Sequence, residues 1–260
     1  MKFVALRQTT WMAVSGEGGP ELRTCSDATC STVLIDWATT GTIDNNDYIQ
    51  LRLTTSAAGG DIYSATLSVG TGADVWNATP TGDCTGSPAA GTVCADGTVY
   101  AGLSPDGNVK MYVTRCDAGM TWDGLNCTGA RSLLSWNDGN TNYVDTGFLS
   151  EITGKTNTTN IATLDSNAVL AGNQPHIAVE HCNDLNQNGQ TDWYLPALQE
   201  LNLIYSNKDV IGNFDTSGQH YWTSTERTWN DTPAWSQDFS DGTQNFETAN
   251  ITNTVRCARR

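Results

Sequence analysis

The stretch Asp192-Trp193-Tyr194-Leu195-Pro196-Ala197-Leu198-Gln199-Glu200-Leu201-Asn202-Leu203-Ile204-Tyr205 changes period halfway along. Large residues precede a proline, and a helical pattern follows it. Pro196 falls at a first-turn position, where its missing N–H would have no intrahelical partner anyway. Leu198, Leu201, Leu203/Ile204 and Tyr205 then recur on one face. The segment Pro175-His176-Ile177-Ala178-Val179-Glu180-His181-Cys182-Asn183-Asp184-Leu185 has the same form, with Ile177/Ala178, Cys182 and Leu185 on one side. Short strands follow at Tyr221-Trp222-Thr223-Ser224, Ala234-Trp235-Ser236-Gln237-Asp238-Phe239 and Thr254-Val255-Arg256-Cys257-Ala258. Two helices enclosed by irregular antiparallel strands make an α+β plan.

Toward the N-terminus, Val99-Tyr100-Ala101-Gly102 and Lys110-Met111-Tyr112-Val113-Thr114 read as a hairpin. Ser104-Pro105-Asp106-Gly107 between them has type I turn chemistry. The joint before it is rich in Pro, Gly and Thr (Thr79-Pro80-Thr81-Gly82 and Gly86-Ser87-Pro88-Ala89-Ala90-Gly91). We therefore expect a module over 1–80, a linker over 81–98 and a second module over 99–260. The first module is all-β. Tyr48-Ile49-Gln50-Leu51-Arg52-Leu53-Thr54 and Tyr63-Ser64-Ala65-Thr66-Leu67-Ser68-Val69 alternate strictly, with Ser56-Ala57-Ala58-Gly59-Gly60 as turn material between them. Val33-Leu34-Ile35-Asp36-Trp37 and Val75-Trp76 add short strands at sandwich-like spacing.

Composition excludes several function classes. Among 260 residues, 28 acids against 13 bases give a formal charge of -15. That argues against nucleic acid, whose binders need basic stripes to displace counterions, and against anionic membrane surfaces. No run approaches the ~20 apolar residues that span a bilayer, so no membrane insertion is expected. Nine Trp and eight Tyr are too many large anchors for a solvated coil.

The eight cysteines lie at 25, 30, 84, 94, 116, 127, 182 and 257. Pairing sequence neighbours, Cys25–Cys30, Cys84–Cys94 and Cys116–Cys127, leaves Cys182 and Cys257 for one long bridge, although spacing alone leaves the connectivity open. No zinc knuckle spacing is present, so disulfides are the preferred reading. They imply an extracellular, cell-surface or virion-surface setting. The opening Met1-Lys2-Phe3-Val4-Ala5-Leu6-Arg7 is too short in apolar residues for a secretory signal. The expectation is either trimming from a longer exported chain or release inside a particle.

An ordered set of residues adds a resemblance. Asp192-Trp193-Tyr194-Leu195-Pro196 with Glu200-Leu201, then Tyr221-Trp222-Thr223-Ser224-Thr225-Glu226, Ala234-Trp235, Phe239, Gly242 and Val255-Arg256-Cys257-Ala258-Arg259 resemble the Lcl C-terminal domain family over roughly 95–260. That resemblance implies a C-type-lectin-like domain, related to formylglycine-generating-enzyme-like domains and to the variable proteins of diversity-generating retroelements. Members of the family act as adhesins, glycan or glycosaminoglycan binders and receptor-binding proteins. It also implies that Trp193, Leu195, Trp222, Trp235 and Phe239 fill the core and that Cys182 staples the final strand at Cys257. The first module is similar to bacterial immunoglobulin-like modules through Asn46-Asp47-Tyr48 and Ala65-Thr66-Leu67-Ser68-Val69-Gly70.

Within that frame, Arg227, Thr228, Trp229, Asn230, Asp231, Thr232, Ser236, Asp238, Ser240, Asp241, Thr243, Asn245, Phe246, Thr248, Ala249 and Asn250 are the candidate ligand-binding positions. Nearly all are Asn, Asp, Ser, Thr or Ala. Adenine-directed mutagenesis of Asn codons yields such residues, and the position just before Val255-Arg256-Cys257 resembles the variable repeat of retroelement-diversified proteins. Trp229 and Phe246 are the expected hot spots. Trp229-Asn230-Asp231 spells a calcium-ligand triplet of sugar-binding lectins, but the partner Glu-Pro-Asn type motif is missing. Asp184-Leu185-Asn186-Gln187-Asn188-Gly189-Gln190-Thr191-Asp192 imitates a calcium loop without its terminal Glu, and we read it as a Gly-turned connection. No metal or cofactor is expected.

His176, His181 and His220 are read as surface side chains. No GxSxG, HExxH, GxGxxG or P-loop occurs, so the chain is not expected to be an enzyme. Sequons at Asn77, Asn126, Asn157, Asn230 and Asn250 follow from a Thr/Asn-rich composition. The leading expectation is a surface or virion-displayed protein whose face over 227–250 binds a protein receptor or surface glycan, with self-association left open. The alternatives are an adhesin without diversification and a structural surface or virion subunit.

Overall fold

The computed structural model describes residues 9–54, 63–78, 82, 84–139, 144–167, 169–170, 174–227 and 234–260. The chain divides into two units, Met1–Pro80 and Thr81–Arg260.

The described residues of the first unit form seven strands: β1 Thr10–Gly16, β2 Glu21–Cys25, β3 Val33–Ala38, β4 Thr40–Ile43, β5 Tyr48–Arg52, β6 Tyr63–Val69 and β7 Gly72–Ala78. They form two antiparallel sheets, ordered β4-β1-β6-β7 and β3-β2-β5. Period-2 alternation explains the core. Met12 and Val14 of β1, Leu22 of β2, Ile43 of β4, Ile49 of β5 and Ala65 and Leu67 of β6 share one apolar cluster, with Leu51 and Leu53 at its margin. Trp11, the neighbour of Met12 on the opposite face of β1, points to solvent. β5 and β6 are consecutive in sequence but lie in different sheets, so the chain crosses between them. The turn residues 56–60 lie outside the described residues.

The second unit contains strands β8 Val99–Leu103, β9 Lys110–Val113, β10 Thr121–Trp122, β11 Cys127–Thr128, β12 Leu134–Ser135, β13 His220–Glu226, β14 Ala234–Asp238, β15 Gln244–Glu247, β16 Thr252–Asn253 and β17 Ala258–Arg259. Its helices are α1 Gly154–Asp165, α2 Ile177–Asn183, α3 Leu198–Ser206 and α4 Lys208–Ile211. The β8–β9 hairpin is closed by Asn108 N–H donating to Ser104 O, one residue beyond a type I turn, with Gly107 and Asn108 both at positive φ. β17 joins this hairpin through β9, and β13-β14-β15 make a separate antiparallel meander.

Among the described residues, four helices take the place of the two expected. The long one, α1, was invisible because Lys155-Thr156-Asn157-Thr158-Thr159-Asn160 has poor helix propensity and no apolar stripe. Tertiary contacts hold it. Asn157 Nδ2 donates to Ser150 O at 2.7 Å and Ser224 O at 3.3 Å, while Thr158 Oγ1 accepts from Leu195 N–H at 3.0 Å. Asn157 is buried, which removes it as a glycosylation acceptor. In α2, Ala178, Val179 and Cys182 face inward and Ile177 faces out, so the stripe is rotated by about one position from the sequence reading.

Residues 84–98, expected as a linker, pack into this unit. Val93 and Cys94 are buried, Val93 bridges Val99, and Cys84 is bonded to Cys94. Gly91 (φ 88°) is obligatory here, because a Cβ would lie 2.4 Å from Val210 O in α4. The remaining bridges are Cys25–Cys30, Cys116–Cys127 and Cys182–Cys257, the last tying α2 to the chain end.

Two apolar clusters fill the unit, one around Trp136, Trp193, Leu195 and Trp222, the other around Tyr194, Leu201, Ile204, Tyr221 and Phe239. Between them sit buried polar hubs. Arg256, only 1% exposed, pairs with Asp117 at 2.6 Å and donates to the carbonyls of Thr114 and Asn213 at 3.0 and 2.7 Å. Asp117 also accepts from Arg131 and Tyr221 OH. Glu200 in the first turn of α3 accepts from Ser104 Oγ (2.7 Å), Tyr194 OH (3.0 Å), Ala197 N–H (3.0 Å) and Gly154 N–H (3.1 Å). A Cβ on Gly154 would come within 2.2 Å of that carboxylate, so only glycine lets the two helix starts share it.

Candidate functional site

The meander β13-β14-β15 carries most of the described candidate positions. Its register sets Trp235 opposite Phe246, Ser236 opposite Asn245 and Gln237 opposite Gln244. Directly opposed residues share a face, so Trp235 and Phe246 meet edge to face at 5.8 Å. Arg227, just past β13, places its guanidinium 3.4 Å from the Phe246 ring centroid and 5.9 Å from that of Trp235. Phe246 is 45% exposed despite these neighbours. The expectation that Trp235 belongs to the core is corrected: it is half-buried and supports this cluster from the side.

The remaining positions sort by depth. Ser240, Asp241, Thr243 and Thr248 are exposed, and Asp238, Asn245 and Asn250 are half-buried. Ser236 and Ala249 are buried, so they belong beneath the face rather than on it. The turn joining β14 to β15 is fixed by Asp238, which accepts from Ser240 N–H at 2.7 Å, and by Asp241, which accepts from Thr243 N–H at 2.8 Å. Gly242 (φ 86°) packs so closely on the Tyr205 ring that a Cβ would fall 2.5 Å from it. Thr228, Trp229, Asn230, Asp231 and Thr232, including the calcium-like triplet, lie outside the described residues.

Residues missed from the sequence hold this face in place. Glu226, at the end of β13, is 1% exposed. It accepts from Thr146 N–H and Oγ1 (both 2.8 Å), Gly147 N–H (2.6 Å) and Phe148 N–H (3.2 Å). Burial outweighs these four donors and pushes its carboxyl up to about 7. The signal was present in the sequence as an acid ending a strand of apolar and hydroxyl residues, but its partners lie 78–80 positions away.

The histidines were also misread as surface groups. His176 is fully buried with Nδ1 2.6 Å from Asp165, stacked edge-on against Trp136. His220 is half-buried, with Nδ1 3.1 Å from Glu247 and 3.2 Å from Ser236 Oγ, and Nε2 3.7 Å from Asp238. Glu247 in turn accepts from Asn253 Nδ2. This ladder ties the three strands of the meander to β16 beneath the exposed positions.

The Asp184–Asp192 loop is a tight turn. Gln187 and Gln190 exchange backbone bonds around Asn188 and Gly189, both at positive φ. Asp192 pairs with Arg259 at 2.9 Å, and Asp184 accepts from Asn183. The carboxylates therefore point at protein partners instead of a common centre. Among the described residues no cluster of His, Cys, Asp or Glu has metal-ligating geometry.

Comparison with known families gives one match: the model described as the Lcl C-terminal domain covers residues 112–259, more than half of the chain. No curated protein matches.

Proposed function

The chain belongs to the Lcl C-terminal domain family, and on that premise we propose that it is a displayed binding protein. Its second unit, C-type-lectin-like, offers the face of β14, β15 and the flanking segments over 227–250 to a protein receptor or a surface glycan. The first unit, immunoglobulin-like, acts as its stalk. The setting is a cell surface or virion surface, and the face is diversified by a retroelement.

One observation carries the reading: an exposed Phe246, backed by Trp235 and capped by Arg227, stands on strands whose opposite supports are buried and hydrogen-bonded. Aromatic and Arg anchors of this kind dominate binding energy at interfaces. Around them, Ser240, Asp241, Thr243 and Thr248 are exposed and belong to neither apolar cluster, so their exchange should leave the packing of Trp222, Leu195 and Phe239 in place. The match covers the frame residues that pack inside, among them Trp193, Leu195, Glu200, Trp222, Val255 and Arg256.

Binding rather than catalysis is further supported by the cysteines. All eight are in disulfides, which leaves no thiolate nucleophile. Four bridges fit an oxidising compartment. No helix among the described residues is long and apolar enough to cross a membrane.

Two tests address the proposal. A display library randomised at Ser240, Asp241, Thr243, Asn245 and Thr248 should keep the thermal transition of the parent while changing which ligands are captured. Loss of folding in most members would overturn the exchangeable-face reading. For diversification, the flanking DNA should hold a reverse transcriptase gene and a near-copy of the segment encoding the terminal residues. Their absence would leave the plain adhesin reading.

A further inference from the structure

The clefts on the surface of the second unit gather at a different place, around Leu185 at the end of α2. One of them, about 450 Å³, is bounded by the β10–β11 hairpin and the turn that follows α2. Its walls include Arg115, Met120, Trp122, Leu185, Gln187 and Asn188.

Arg115 is unlike the other arginines of this unit. Arg131 pairs with Asp117 and Asp215, Arg256 with Asp117, Arg259 with Asp96 and Asp192, and Arg260 with Asp106. Arg227 rests on Phe246 at the rim. Arg115 has no carboxylate within ion-pair distance among the described residues, although the chain holds 28 acids. Its guanidinium lies 3.8 Å from the Trp122 ring centroid. Burial pulls it below the ordinary guanidinium value, and no opposite charge offsets that burial.

A half-buried, uncompensated guanidinium is costly to keep unless something pairs with it. The cystine Cys116–Cys127 fixes its position, because it bridges the residue after Arg115 to the strand opposite Trp122.

From this arrangement we propose that the cleft is a second binding site, distinct from the 227–250 face, for the free carboxylate end of an extended peptide with an apolar last side chain. Arg115 offers the planar fork that carboxylates accept in bidentate fashion. Met120, Leu185 and the Trp122 ring form the apolar wall for the terminal side chain. The Gln187 and Asn188 amides can donate to and accept from the preceding peptide groups, as in other captures of chain ends. The apolar share of the lining favours a peptide end over an acidic sugar, whose hydroxyls would face Met120 and Leu185 unpaired.

The test uses the full chain and N-acetyl-Ala-Leu as the probe, followed by NMR shifts or calorimetry. The free acid should bind saturably, its C-terminal amide should bind at least about tenfold more weakly, and Arg115→Met should weaken the acid by a similar factor with an unchanged melting transition. Arg115→Lys should restore part of the loss. Equal binding of acid and amide, no saturable binding of the acid, or an undiminished affinity in Arg115→Met would overturn the proposal. So would binding of glucuronate, but not the peptide acid, at the same residues. Should Arg115→Met fail to fold, Met120→Asp with the same acid and amide pair decides, since the added carboxylate must weaken acid binding selectively.

Discussion

The two units solve the same problem by opposite means. The first closes its core with seven apolar residues from alternating strands, and among the described residues only Thr24 is a buried polar side chain there. The second buries an Arg–Asp pair, two glutamates, a histidine and a set of Thr, Ser and Asn side chains among its tryptophans. Regular sheets satisfy their own backbone. Irregular segments such as 114–120 and 144–153 do not, so their N–H and C=O groups must be taken up by buried side chains. Glu226 and Glu200 do this for 146–148 and for two helix starts, and Arg256 for 114 and 213. Polar hubs in the second unit thus take up backbone groups that strand ladders take up in the first.

That contrast can be broken experimentally. Cys182→Ala with Cys257→Ala should have the largest effect, because the bridge closes a loop of 75 residues. A loss of about 4 kcal/mol is expected in the chain-entropy picture, read as a lowered second-unit transition in calorimetry with the first-unit transition unmoved. Cys25→Ala with Cys30→Ala, over a separation of 5 residues, should remove about half as much and only from the first unit. Movement of both transitions together in either pair would show that the units do not unfold independently.

Arg256→Met comes next. It leaves Asp117 with Arg131 and Tyr221 but strips a buried charge of its closest partner, and should remove about 3 kcal/mol. Denaturant titration checks it, and a loss under about 1 kcal/mol would show that Arg131 and Tyr221 hold Asp117 without Arg256.

Glu226 gives a pH signature. Its folded-state carboxyl lies above the ordinary value, so the folded form holds more protons than the unfolded one between about 4.5 and 7. Stability contributed by its neutral form is therefore full below that window and falls as pH rises through it. Relative to Glu226→Gln, the parent should lose on the order of 3 kcal/mol across the window. A flat difference would mean that the four donors hold the ionised form instead.

Phe246→Ala should move stability by no more than about 0.5 kcal/mol, while abolishing capture of any ligand that the 227–250 face binds. A large stability loss would make Phe246 part of the core and sink the proposed role of that face.

Legibility followed the same division. Strands β5 and β6 were readable residue by residue, because a half-buried strand writes its burial directly as alternation. α3 was readable because Leu198, Leu201 and Ile204 are apolar at helical spacing. α1 was not: its inward side chains are Asn157, Thr158 and Ile161, and a polar buried face leaves no period to detect. His176 looked like a surface residue for a related reason, since only Asp165, eleven positions back, makes its burial affordable. Ser236 and Ala249 looked exposed because small polar and neutral residues carry no sign of depth.

By itself the sequence determined the β character of the first unit, the helix after Pro196 and the family frame, whereas the cysteine pairing it only suggested was decided by the structure. Those features rest on local periodicity or on short spacing, which one chain records. The tertiary structure decided which polar residues go inside, which aromatics of the meander face outward, and that Arg115 stands beside Trp122 with no carboxylate partner among the described residues. Each of these depends on groups far apart in the chain meeting in space, and desolvation acts only once they have met.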